Sequence, residues 1–198
     1  MSKKVDLKDF ELHKVKFNLK KGLDIQFWDL NSPNELWSVS SDSIPSDDYH
    51  KALNSFKEVF AYALGFNNGW DFSRENNRKN DELLKKAIVF WNDEVESISV
   101  TGLTVVGADE CKGVKVLGSL NTELGVVGLV SPIIRFDSQI TNSVDELIMI
   151  GDLAETAFNS LQNEIWMFIF KGKRGGELFS SEPIESGLNG IPKMLKVG

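Results

Sequence analysis

Two imidazoles, one thiol and two groups of carboxylates are the side chains of this 198-residue chain that could act directly on a bond. An acyl-transfer or thiol mechanism needs a nucleophile held against a base. His13 lies on a segment that reads as a strand and His50 in the first turn of a predicted helix, and neither belongs to a motif, so both read as structural or solvated histidines. Cys111 falls in or beside a tight turn between two predicted strands, and nothing near it marks an activated thiolate. Asp42, Asp47 and Asp48 form one acidic group and Asp93, Glu94 and Glu96 a second, the ligand type of a hard cation. Their spacing is better explained by helix-start acids facing the macrodipole and by a solvated approach to a strand. A single cysteine excludes an internal disulfide framework and a thiolate zinc site. Gly102, Gly107 and Gly113 sit in strands and turns, Gly172-x-x-Gly175-Gly176 follows a helix, and no Gly-Lys-Ser/Thr is present to cradle phosphate. The expectation is a protein without catalytic residues, metal or cofactor, and not an enzyme.

Binding chemistry is better represented. Trp28, Trp37, Trp70, Trp91 and Trp166, with Phe27, Phe66 and Phe72, are more aromatics than a small core requires. Rings beside lysines hold single-stranded nucleic acid, each stacked base contributing roughly 1 to 3 kcal/mol. Lys14, Lys16, Lys20 and Lys21 crowd the start of the chain, and Lys171, Lys173 and Arg174 form a second basic cluster. Trp28 lies on the opposite strand face from Phe27, near the lysine-rich first strand, and is the candidate stacking ring. The net charge of -7 argues against a surface that grips phosphate everywhere, so any nucleic-acid site must be local. Lysines on a strand can also serve simply to keep a sheet edge from aggregating.

These residues need elements to position them, and the pattern supplies strands closed by a helix, twice. Phe10, Leu12, Val15, Phe17 and Leu19 approach the two-residue period of a half-buried strand, Lys20-Lys21-Gly22 turns it, and Leu23, Ile25 and Phe27 return as a hairpin. A short strand from Glu35 to Ser40 follows. Pro45 and Ser46 then open a helix carrying Tyr49, Leu53, Phe56, Phe60 and Ala63 on one stripe, with Gly65 placed to stop it. Residues 67–80 read as a polar connector, and Asn80 caps a predicted short helix with Leu83, Leu84, Ala87, Ile88 and Trp91 on its apolar side. In the second half, Ile98 to Val106 and Gly113 to Leu117 read as a hairpin. A third strand is expected between Gly125 and Phe136, with Pro132 implying an edge or a bulge. Ser143 and Glu146 spell a capping box for a helix that carries Leu147, Ile150, Ala154, Ala157, Leu161, Ile165 and Phe168 on one stripe and reaches Phe170. Its end, from Ile165 to Phe170, is apolar nearly all round, so a second layer or a partner must cover it, with Trp166 and Phe170 as candidate protein-interface residues.

At Val100-Thr101-Gly102-Leu103-Thr104-Val105-Val106-Gly107, at Lys112-Gly113-Val114-Lys115-Val116-Leu117-Gly118 and at Asn163 to Arg174, the sequence resembles a family of small early proteins of tailed bacteriophages and prophages. The resemblance covers about residues 96–180. Members tend to be encoded among phage recombination and replication genes, and the resemblance thereby implies DNA metabolism by association. The layout of two copies of several strands and a helix also looks like that of Whirly-type single-strand DNA binders and of a processivity clamp subunit.

The fold expected is α+β, with antiparallel strands in two similar halves, 7–65 and 96–171, each followed by an amphipathic helix packed on its sheet. Residues 1–175 form one unit and 176–198 an extended or flexible tail, in which Ile191, Met194, Leu195 and Val197 could dock. The function expected is a phage-type accessory protein binding single-stranded DNA. The alternative is a protein-interaction module, either an oligomeric clamp-like subunit or an inhibitor of a host factor. No run reaches the length of a membrane span and no signal-peptide core follows Met1, so the expected place is the cytoplasm, that of the host cell if the gene is a phage's.

Overall fold

Among the described residues, eight strands join in one antiparallel sheet and three α-helices lie across one of its faces, so the protein is α+β. The computed structural model describes residues 5–18, 22–32, 35–64, 95–108, 111–138, 140–141, 147–148, 150–175 and 193–197. β1 (Phe10–Asn18), β2 (Gly22–Asp29) and β3 (Leu36–Ser41) form one meander, and β4 (Ile98–Val106), β5 (Gly113–Thr122) and β6 (Gly125–Val130) another. β7 (Ile134–Arg135) adds to β5, while β8 (Ile140–Thr141) and β9 (Leu147–Ile148) make a separate two-stranded ladder. β10 (Lys193–Val197) closes the far edge. The main order is β10-β3-β2-β1-β4-β5-β6, so the two meanders meet back to back at β1 and β4. The helices after them differ: α1 (Asp47–Asn54) and α2 (Phe56–Ala63) follow the first, and the 21-residue α3 (Ile150–Phe170) follows the second.

Alternation explains which face is covered. On β2, Leu23, Ile25 and Phe27 are buried, while Asp24 is exposed and Gln26 and Trp28 are half-buried. Val15, Val39, Leu103, Val105, Val114 and Val116 continue the buried side, against Phe56, Phe60, Ala154, Phe158, Leu161 and Ile165 of the helices. Glycine permits a close approach of helix to sheet at Gly118, where a Cβ would lie 2.5 Å from the Ser99 carbonyl oxygen and 2.6 Å from the Phe60 ring. The apolar end of α3 is covered from within the chain. Phe170 meets Phe10 and Phe27 edge-on at 6.1 and 5.9 Å between centroids, and the Trp166 indole N–H donates to the Val5 carbonyl at 2.8 Å.

Several boundaries differ from the sequence expectation. The helix expected to run through Phe56 breaks at Ser55, whose hydroxyl donates back to the Ala52 carbonyl at 2.6 Å. Its start is as expected: the Ser46 hydroxyl accepts from the Tyr49 N–H at 3.3 Å. Leu147 does not open the last helix but pairs with Thr141 in β9, and α3 begins at Ile150. The third strand is interrupted at Ser131-Pro132-Ile133, in keeping with the edge or bulge that Pro132 implied: β6 ends there and β7 resumes pairing with β5. Lys193 to Val197 pair with Ser40 to Leu36, so Met194, Leu195 and Val197 lie in a docked edge strand. Lys20, Lys21, Gly65, the 67–80 connector, the helix expected after Asn80, and the Ser143–Glu146 capping box lie outside the described residues.

Candidate nucleic-acid interface

Because side chains alternate across a pleated strand, the buried Val15 and half-buried Phe17 on the helix side of β1 turn Lys14 and Lys16 to the other. Both are exposed, and among the described residues no element covers that face. The register sets out its rows. Gln26, Lys14, Thr104 and Lys115 lie opposite one another across β2, β1, β4 and β5, and Asp24, Lys16, Gly102 and Leu117 form the next row. Neighbouring strands are about 4.8 Å apart, so Lys14 and Lys115, two strands removed, are roughly 10 Å apart at the backbone. Gly102, between Lys16 and Leu117, has no room for a side chain, since a Cβ there would meet the Val15 carbonyl oxygen at 2.3 Å.

A bulge in β1 between Leu12 and Lys14 sets His13 out of the regular alternation and brings its ring to 6.0 Å from Trp28, edge to face. Burial, and next the Lys14 ammonium, hold the His13 pKa below the ordinary histidine value, against a weaker opposing pull from Glu11. His13 therefore sits beside Trp28 as a neutral ring at pH 7. Asp24 opposes this basic character but accepts a hydrogen bond from the Ser40 hydroxyl at 2.7 Å. Glu11 is held by Lys112 at 2.6 Å.

The second basic cluster is elsewhere. Lys171, Lys173 and Arg174 follow α3 in the helix layer, and the sheet separates them from Lys14 and Lys16. Lys173 bridges Asp48 at 2.8 Å and Glu164 at 2.7 Å. Lys171 lies 5.1 Å over the Trp166 ring. Arg174 stacks 3.7 Å over Phe168 and donates to the Phe168 carbonyl, finishing the helix end. Lys115, exposed between the buried Val114 and Val116, is the basic residue the sequence reading passed over, although that alternation marks it.

The other chemistry-bearing residues are dispersed. His50 rests against Phe17 and Tyr49, both at 5.3 Å. Exposed Cys111 receives a long contact from Arg135 at 3.8 Å. Asp48 is bound to Lys173, and Asp93 and Glu94 lie outside the described residues. A groove of about 460 Å³ between α2 and α3 is lined by Ser55, Lys57, Glu58, Leu153, Thr156 and Ser160 among others, and the Ser55 and Ser160 hydroxyls there donate to the Ala52 and Thr156 carbonyls. Among the described residues no group of three His, Cys, Asp or Glu comes together as metal ligands, and no helix is long and apolar enough to cross a membrane. No protein-family model, curated protein or solved structure matches the chain.

Proposed function

We propose that the protein binds single-stranded DNA, without catalysing a reaction, on the sheet face that the helices leave open. One observation carries this reading: Lys14, Lys16 and Lys115 stand exposed on that face across β1 and β5, beside the Trp28–His13 ring pair. Lysines there neutralise phosphates and release counterions, while a ring at the margin offers a stacking platform indifferent to base identity. A phage-type accessory role in DNA metabolism, in the host cytoplasm, is the setting this activity suits. The acidic total charge is compatible with a local site, because screening limits each lysine's reach to about 8 Å at physiological salt. The alternative, a protein-interaction module acting through Trp166 and Phe170, has less support, since both rings are engaged within the chain.

Fluorescence-anisotropy titration of a labelled oligothymidylate tests the proposal. Three phosphate contacts give a salt slope near -2, so affinity should fall about 20-fold between 50 and 200 mM salt. Changing Lys14, Lys16 and Lys115 together to Glu should abolish binding while the circular-dichroism spectrum stays unchanged. No binding of the wild type even at low salt rules the proposal out.

A further inference from the structure

The sheet's two edges are built differently. β10, at one edge, carries Lys193 and Lys196, the type of residue that keeps an edge from pairing with another chain. β6, at the other, runs Gly125-Val126-Val127-Gly128-Leu129-Val130 with no charge and no proline. Its apolar side chains are exposed on both faces, Val126 at 70%, Val127 at 48% and Val130 at 56%, between a fully exposed Leu124 and Ile133 at 47%. A run of exposed apolar residues on an edge strand marks an interaction surface.

The sequence of β6 points to what covers it. Around Gly128 the strand reads nearly the same in both directions: Val127 mirrors Leu129, and Val126 mirrors Val130. Thr122 and Gly125 pair across a two-residue turn, which requires that pair to exchange the backbone hydrogen bonds. Bonding then alternates along the ladder, so the N–H and C=O of Val126, Gly128 and Val130 point away from β5, toward the free edge. A second copy brought up antiparallel about a two-fold axis at Gly128 meets the same three residues in bonding register. Val126 then lies beside the copy's Val130 on the open face, and Val127 beside the copy's Leu129 on the helix face. No side chain obstructs the axis, since a Cβ at Gly128 would have nothing within 4 Å.

We infer that β6 is a homodimer interface, joining two copies through one continuous antiparallel sheet. Such an interface is isologous, as closed two-fold dimers are. The run 124–133 supplies ten residues a side against the 20 to 30 of a standard interface, so the association is a small, concentration-dependent one. The axis stands perpendicular to the sheet, so the two open faces lie side by side. The inference stands independently of DNA binding.

Sedimentation velocity of the intact chain from about 1 to about 200 µM reads this directly. The wild type should pass from monomer to dimer. Gly128→Pro removes the outward N–H without touching the β5 ladder, and Val130→Lys sets a charge at each end of the strand pair. Each should weaken the dimer at least tenfold with an unchanged circular-dichroism spectrum, and if one fails to fold the other decides. A wild type that stays monomeric throughout, or a dimer undiminished in the folded variants, overturns the inference.

Discussion

At Lys173 one ammonium ties α1 to α3. Burial acts to lower its pKa, but hydrogen bonds to Asp48 and Glu164 outweigh it and hold the value above the ordinary 10.5. The bond from Lys173, and after it that from Lys51, holds Asp48 below its ordinary 3.8. A raised lysine stabilises the fold below its unfolded pKa and loses that contribution as pH rises through the folded value. A lowered aspartate stabilises above its unfolded pKa and loses that as pH falls through the folded value. The tie therefore operates across the neutral range and fades at both extremes. A double-mutant cycle of Lys173→Met with Glu164→Gln, read by chemical unfolding at pH 7, should give a coupling of about 0.5 to 1 kcal/mol, modest because solvent screens the ammonium. Repeating it at pH 11.5 should shrink the coupling; a coupling independent of pH contradicts the assignment. The sequence displayed the charge of Lys173 but not its partner, because Asp48 lies 125 residues away and only the fold brings them together.

Elements show the same division between local and distant causes. Strands β2, β4 and β5 were legible because Leu23, Ile25, Phe27 and then Val114 and Val116 alternate with polar residues, and α1 because Ser46 caps it. The break at Ser55 was not, since Tyr49, Leu53, Phe56 and Phe60 keep a helical stripe across it. Nor was the start of α3, where a Ser-x-x-Glu pattern suggested a helix beginning about a turn too early. Packing between elements hangs on small residues that leave no periodic signature. Gly118 of β5 admits the Phe60 ring of α2, so Gly118→Val forces a side chain into space that ring and the Ser99 carbonyl fill. Thermal and urea unfolding should show a loss of about 2 to 3 kcal/mol, the range of overpacking in a filled core. Gly118→Ala should lie between that variant and the wild type. An undiminished midpoint for Gly118→Val would mean that α2 does not press on β5 as described.

For the molecule as a whole, the decisive property is that, among the described residues, helices cover the sheet on one side only. The seam between β1 and β4, which puts Lys14 and Lys115 on one surface, joins residues 86 to 90 positions apart, and no local pattern announces so distant a pairing. The lysines of β1 and Trp28 were therefore found from sequence, whereas Lys115 and the separation of the Lys171–Arg174 cluster needed the topology. Under the proposed function, that arrangement predicts which peptides DNA would touch. Ultraviolet cross-linking of the intact protein to an oligonucleotide carrying 5-iododeoxyuridine, with the modified peptides mapped by mass spectrometry, tests it most directly. The account predicts cross-links on the β1–β2 peptides holding His13 and Trp28, lost when Lys14, Lys16 and Lys115 are changed to Glu. Cross-links confined to α1, α2 or the Lys171–Arg174 end of α3 would contradict it.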